Sequence, residues 1–262
     1  MLPKRPMTVS FAVRNLLLVL LLFANFAQAE DEPIEQFLQT VRHPPLAESW
    51  AILQGKIRHK ARGQKTQTLP IALRLRLSPA RIFAQLISGE ERYLVGQNFA
   101  DGLHGTSVIP ERKAPEGSMT LADAGLRPSD MTLSFLYWDF VDELESDRVG
   151  GRSCRVVSLA HAEAREHVKV WISKEFRFAL RVHWFKAGAE ESYRQLEFAG
   201  FEKIDNTWIV KEVDIRNADW KTQVLARLES LSDDDLRQDA AAFLERRRDA
   251  MLLSMENLRS VL

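Results

Sequence analysis

The feature that most constrains this chain is a long run of two-residue periodicity. Ile71, Leu73, Leu75 and Leu77 alternate with Ala72, Arg74, Arg76 and Ser78. Val168, Val170 and Ile172 repeat the pattern, as do Phe178, Leu180, Val182 and Trp184. A period of two puts successive side chains on opposite faces of a strand, one wet and one dry. Trp50 to Ala61, Arg81 to Ser88 and Arg92 to Gln97 read the same way. So do Leu144 to Val149, Arg152 to Ala160, Ser192 to Phe201, Thr207 to Asn217 and Trp220 to Leu228. The breaks between them are short: Arg62-Gly63, Gly89-Glu90, Gly150-Gly151 and Asp205-Asn206. Parallel pairing needs crossovers of about a dozen residues, so these breaks favour an antiparallel meander. About ten or eleven strands are expected, with no internal sequence repeat.

Three segments leave that period. Ile34, Phe37, Leu38 and Val41 fall on one side of a helix over Glu30 to Arg42, with Asp31 as a cap and Pro33 in its first turn. Residues 110–130 hold Pro110, Pro115, Gly117, Gly125 and Pro128 and read as a long loop. A helix over Met131 to Val141 follows, apolar on most sides, which requires cover from more than one direction. Ser232 to Leu262 reads as an amphipathic helix with Leu236, Phe243, Leu244, Met251 and Met255 along one side. The fold class is α+β, dominated by one antiparallel sheet.

Composition excludes more than it identifies. The 262 residues are 45% hydrophobic and 27% charged, which is globular. Lys and Arg total 36 against 36 Asp and Glu, a balance that argues against nucleic acid as a main partner. Lys4, Arg5 and Arg14, the apolar run Leu16 to Ala24, and Ala27-Gln28-Ala29 have the form of a cleavable signal peptide over residues 1–29. The run is far short of the roughly 20 apolar residues that span a bilayer. The expectation is a periplasmic chain that does not span the membrane once the signal is removed. It divides into a sheet domain over 30–229 and a C-terminal helix over 230–262. Cys154 is the only cysteine and reads as a small core residue.

No phosphate loop, dinucleotide fingerprint, HExxH helix or nucleophile elbow is present. His161 and His167 flank a turn and lack the further ligands that zinc needs. Asp139, Asp142, Glu143, Glu145 and Asp147 read as a solvated face. No cofactor, metal or catalytic residue is expected. Large apolar groups do fall on both faces of the later strands, because Trp171 opposes Val170 and Ile172, and Phe185 opposes Trp184. Either a second element covers that face, or one face lines an apolar cavity.

Residues 45–228 resemble the LolA-like family of outer-membrane lipoprotein-sorting proteins. The resemblance is carried by Trp138-Asp139-Phe140, by Val149-Gly150-Gly151-Arg152-Ser153-Cys154-Arg155-Val156-Val157, by Val170-Trp171-Ile172-Ser173-Lys174-Glu175 and by Leu180-Arg181-Val182. It continues in Phe201-Glu202-Lys203-Ile204-Asp205-Asn206-Thr207-Trp208-Ile209-Val210. Asn206 stands where that family usually has Gly, and Ala179 where a Pro often stands. The resemblance implies an incomplete antiparallel β-barrel wrapped around helices, with an apolar cavity that holds the acyl chains of a lipoprotein or lipid. It also implies inner- or outer-membrane transport components as partners. Met131, Phe135, Leu136, Trp138, Phe140, Trp171 and Phe185 are the candidate cavity-lining residues. The alternative is a non-transporting interaction module of the same fold that docks a protein partner.

Overall fold

The computed structural model describes residues 32–44, 48–161, 163–204 and 207–231. The signal peptide, the cap at Asp31, the Asp205-Asn206 turn and the helix over 232–262 lie outside those residues. The short helix is α1, Ile34–Arg42, with Pro33 at its N-cap position and Phe37, Leu38 and Val41 buried.

Twelve strands follow: β1 (Ser49–Ala61), β2 (Gln67–Leu77), β3 (Arg81–Ser88), β4 (Glu91–Asn98), β5 (Thr106–Arg112) and β6 (Asp139–Val149). The rest are β7 (Arg152–His161), β8 (Glu166–Ser173), β9 (Ala179–Lys186), β10 (Arg194–Ile204), β11 (Thr207–Arg216) and β12 (Trp220–Leu231). They form one open antiparallel sheet in the order β5-β4-β3-β2-β1-β12-β11-β10-β9-β8-β7-β6. Every neighbour is a chain neighbour except β1 and β12, whose pairing joins two meanders.

That single long-range pairing sends β5 and β6, consecutive in the chain, to opposite edges. Residues 113–138 must therefore cross the sheet. The crossing explains their apolar content better than a helix does. The expected helix over Met131–Val141 is absent. Two short 3-10 turns, Pro128–Thr132 and Ser134–Tyr137, are split by Leu133 in a left-handed conformation (φ 53°), and β6 begins at Asp139. A segment covered on all sides shows no polar stripe whatever its backbone does, so the pattern could not distinguish helix from crossing coil.

β5 is the strand the sequence concealed, because Pro110 and Glu111 look like loop. It is an edge strand, where Pro costs no ladder bond. β6 is the other edge, and its acidic residues suit an edge that must not pair with another chain.

The crossing segment and α1 pack into a core drawn from both meanders. Ile57, Ile71 and Leu86 meet Val157, Leu159, Val170, Val182 and Ile215 in one buried cluster with Phe37, Leu121 and Phe135. Two glycines mark where this curled arrangement is tight. A Cβ on Gly55 would sit 1.9 Å from the Leu225 carbonyl oxygen across the β1–β12 pairing. A Cβ on Gly125, at φ +72°, would sit 2.0 Å from the Trp220 ring.

Candidate functional site

The seven candidate residues do not share one cavity. Phe135, Leu136 and Trp138 are buried in the main core, with Met131 packed against it. Phe135 meets Trp184 edge to face at 5.5 Å. Phe140, the second residue of β6, is exposed. Trp171 belongs to a different cluster, on the other face of the sheet, and Phe185 stacks on His167 at 4.8 Å. Alternation sets this division: Val168, Val170, Val182 and Trp184 point into the main core, so His167, Trp171 and Phe185 point away. The same rule keeps the two histidines apart. His161 meets Trp138 at 5.3 Å, whereas His167 faces outward.

The crossing segment is anchored by polar contacts. Arg194 on β10 pairs with Asp130 in a fully buried ion pair and donates to the Gly125 carbonyl at 3.1 Å. The Thr222 hydroxyl donates to the Ala124 carbonyl at 2.6 Å. Arg42 donates to the carbonyls of Leu136 and Trp138 at 2.7 Å each, and the Tyr137 hydroxyl donates to the Arg42 carbonyl at 2.7 Å. Arg127 bridges to Glu166 at 3.1 Å and to the Tyr193 hydroxyl at 2.6 Å. Burial would raise the Glu166 carboxyl, but hydrogen bonds from Lys186, Arg127 and Tyr193 outweigh it and hold it at about 2.

The open apolar site lies on the opposite face. Val149, Cys154, Val156, Trp171 and Leu180 form a satellite core, with Phe178 and Phe201 packed against it. Beside it opens a pocket of about 210 Å³ lined by Arg152, Phe176, Phe178, Leu180, Phe201 and Val210.

Local turns build it. The Gly150-Gly151 hairpin, with both residues at positive φ, delivers Arg152. In the β8–β9 turn the Ser173 hydroxyl accepts from the Phe176 amide at 3.1 Å, and the Ser173 amide donates to the Phe178 carbonyl at 2.9 Å. This presents both phenylalanines at the sheet end. Leu196 and Phe198 point into the main core, and the β10–β11 register runs unshifted past Gly200 (φ +56°), so alternation puts Phe201 on the outer face, where it meets Phe178 at 6.2 Å and 88°. The Arg152 guanidinium lies 5.3 Å from the Phe176 ring and 5.2 Å from the Phe201 ring. An apolar hollow with one cation at its side suits an apolar chain carrying an anionic or carbonyl head.

The pocket lining holds no His, Cys, Ser or Thr. Cys154 is buried, and burial pushes its thiol up. His183 is held down to about 4 by burial, then by Arg181, Arg216 and Lys169. Among the described residues no group of His, Cys, Asp and Glu is placed to hold a metal ion. The sequence reading took Phe178 and Phe201 as strand residues without bringing them together, and it passed over Phe176 in the turn. Phe176 and Phe178, two large rings across a turn that should be polar, were the available signal.

No family model and no curated protein matches the chain. Solved structures do. A DUF1329 family protein from Desulfovibrio piger aligns at a TM-score of 0.58 and 14% identity, over 78% of this chain and 94% of that one. A domain from Vibrio parahaemolyticus, named for outer membrane lipoprotein sorting, aligns at 0.50 and 14% identity, over 80% and 98%. A LolA superfamily protein from Nitrosomonas europaea aligns at 0.44 and 10% identity, over 76% and 92%, too remote to argue from. The resemblance read from the sequence therefore holds at the level of fold.

Proposed function

We propose that this chain is a periplasmic carrier or sensor that binds the acyl part of a lipoprotein or lipid. The observation that carries the reading is the open, phenylalanine-lined pocket beside Arg152. It offers apolar burial and one cation, and no reacting group. Each buried CH₂ contributes about 0.8 kcal/mol, so a short length of chain suffices for reversible binding. The fold shared with a lipoprotein-sorting domain supports the same reading. The signal-like residues 1–29 support the compartment. Among the described residues no helix is long and apolar enough to cross a membrane, and exchange with membrane-bound transport components fits a carrier.

Native mass spectrometry of the chain purified from cells tests it, with a fluorescent fatty acid titrated into parent and Val210→Asp protein. Bound lipid mass and at least tenfold weaker binding by the folded variant are expected. No retained lipid and no titratable binding would refute the reading, in favour of the protein-docking module.

A further inference from the structure

The face of the sheet turned away from the main core carries an unbalanced charge at its centre. Between Ser49 and Leu77 there is no acidic residue, and there are seven Lys and Arg. These residues form β1 and β2, the middle of a twelve-stranded sheet in a chain with 36 residues of each charge.

Alternation sorts them. Ile57 and His59 point into the core, so Lys56, Arg58 and Lys60 stand exposed on the outer face. On β12, Thr222 and Val224 point inward, and Lys221 and Arg227 outward. Arg74 joins them from β2, opposite Ile52. The patch covers about 10 Å across three strands and about 27 Å along them. Neighbouring cations on β1 are about 7 Å apart, inside one Debye length, so they act on a partner together.

This arrangement costs stability. Lys60 lies directly opposite Lys221, a like-charge cross-strand pair. Lys221 has Asp214 at 3.1 Å; Lys56, Arg58, Lys60 and Arg74 have no ion pair among the described side chains. Edge protection cannot explain the lysines, because β1 and β12 are not edges.

We propose that the outer face of β2, β1 and β12 docks onto the anionic phospholipid headgroups of a membrane surface. A protein partner fits less well. Protein interfaces are depleted in Lys and anchored by buried aromatics; between its cations this face offers Ile52, Gln54, Pro70, Ala72 and Leu225, and the nearby Trp50 is already packed against Leu94 and covered by Arg76. Headgroups need no anchor; they need cations free to move to them. The acyl pocket opens on the same side of the sheet, yet the docking does not depend on it.

The test is sedimentation of the purified chain with vesicles of equal parts phosphatidylglycerol and phosphatidylcholine, and with pure phosphatidylcholine. Binding to the anionic vesicles alone, abolished by a roughly tenfold rise in salt, is expected. Lys56→Gln, Arg58→Gln and Lys60→Gln together should weaken it about a hundredfold, at about fivefold per cation. The control Lys113→Gln, Arg148→Gln and Arg165→Gln, of equal net charge, should change it only slightly. Circular dichroism confirms that both triples are folded. Val210→Asp should leave docking intact, which separates this result from the fate of the acyl pocket. Absence of binding to the anionic vesicles, equal losses in both triples, or binding to an acidic polypeptide but not to vesicles would overturn the proposal.

Discussion

Asp130→Ala tests whether the segment crossing the sheet is a bolted part of the core. Asp130 and Arg194 have side-chain exposures of 3% and 4%. Removing the carboxylate leaves a buried guanidinium without its counter-charge. Breaking a buried pair from one side costs about 3–5 kcal/mol. Arg194 keeps the Gly125 carbonyl and the face of Trp184, 4.2 Å from its guanidinium carbon, so the lower part of that range is expected, near 3 kcal/mol. The Arg127 amide also loses its acceptor, 2.9 Å away. For a domain of this size the melting temperature should fall by about 6–12 °C, measured by circular dichroism. Asp130→Leu combined with Arg194→Met removes both charges and should recover most of the loss. A single variant costing less than about 1 kcal/mol, or a double variant costing the sum of the singles, would refute the claim that this pair holds the crossing segment.

Phe135→Asp buries a carboxylate against Trp184 and should unfold the chain, seen as loss of near-UV dichroism; a folded variant would mean that the site is a cavity wall. Gly125→Ala meets both a positive φ and the Trp220 ring and should cost upward of about 2 kcal/mol in urea titration. Acid should destabilise the chain in two windows. The unfolded His183 binds protons more readily than the folded one, so stability falls as pH drops from about 6.5 to about 4, a loss that His183→Gln removes. The Glu166 contribution is present above about 4.5 and is lost toward about 2, and Glu166→Gln should flatten that limb while lowering stability at neutral pH.

The sheet was legible because its strands are linked by short turns and half-buried. Ile71 to Leu77 could be read from sequence, and its partners follow at each turn. α1 was legible for the same reason, since Phe37, Leu38 and Val41 obey a helical period and are buried. What the sequence could not show is the β1–β12 pairing, a contact between segments some 170 residues apart that leaves no local pattern. Without it, nothing says that residues 113–138 must span the concave side, and their apolar run is easily taken for a helix. Trp171 and Phe185 were placed on the correct face by alternation but grouped with Phe135 and Trp138, which point the other way. The pocket joins Phe176, in a turn that the strand pattern passes over, to Phe178, Leu180 and Phe201, which were read as strand residues with no local sign that they meet.

Charge and topology can be read together. The acidic residues of β6 lie on an edge, where Glu143 also receives Arg155 in a two-pronged pair and Asp147 accepts from the Trp171 indole at 2.8 Å. Those acids have structural work: they blunt an edge and order their neighbours. Lys56, Arg58, Lys60 and Arg74 have none that the fold requires, whereas Arg76 pairs with Glu48 and lies over Trp50. A central strand needs no protection, a solvated face would be served by alternating signs, and opposed lysines weaken the pairing that joins the two meanders. A neutral chain that places surplus cation where it costs stability is most simply read as selected for contact with an anionic surface.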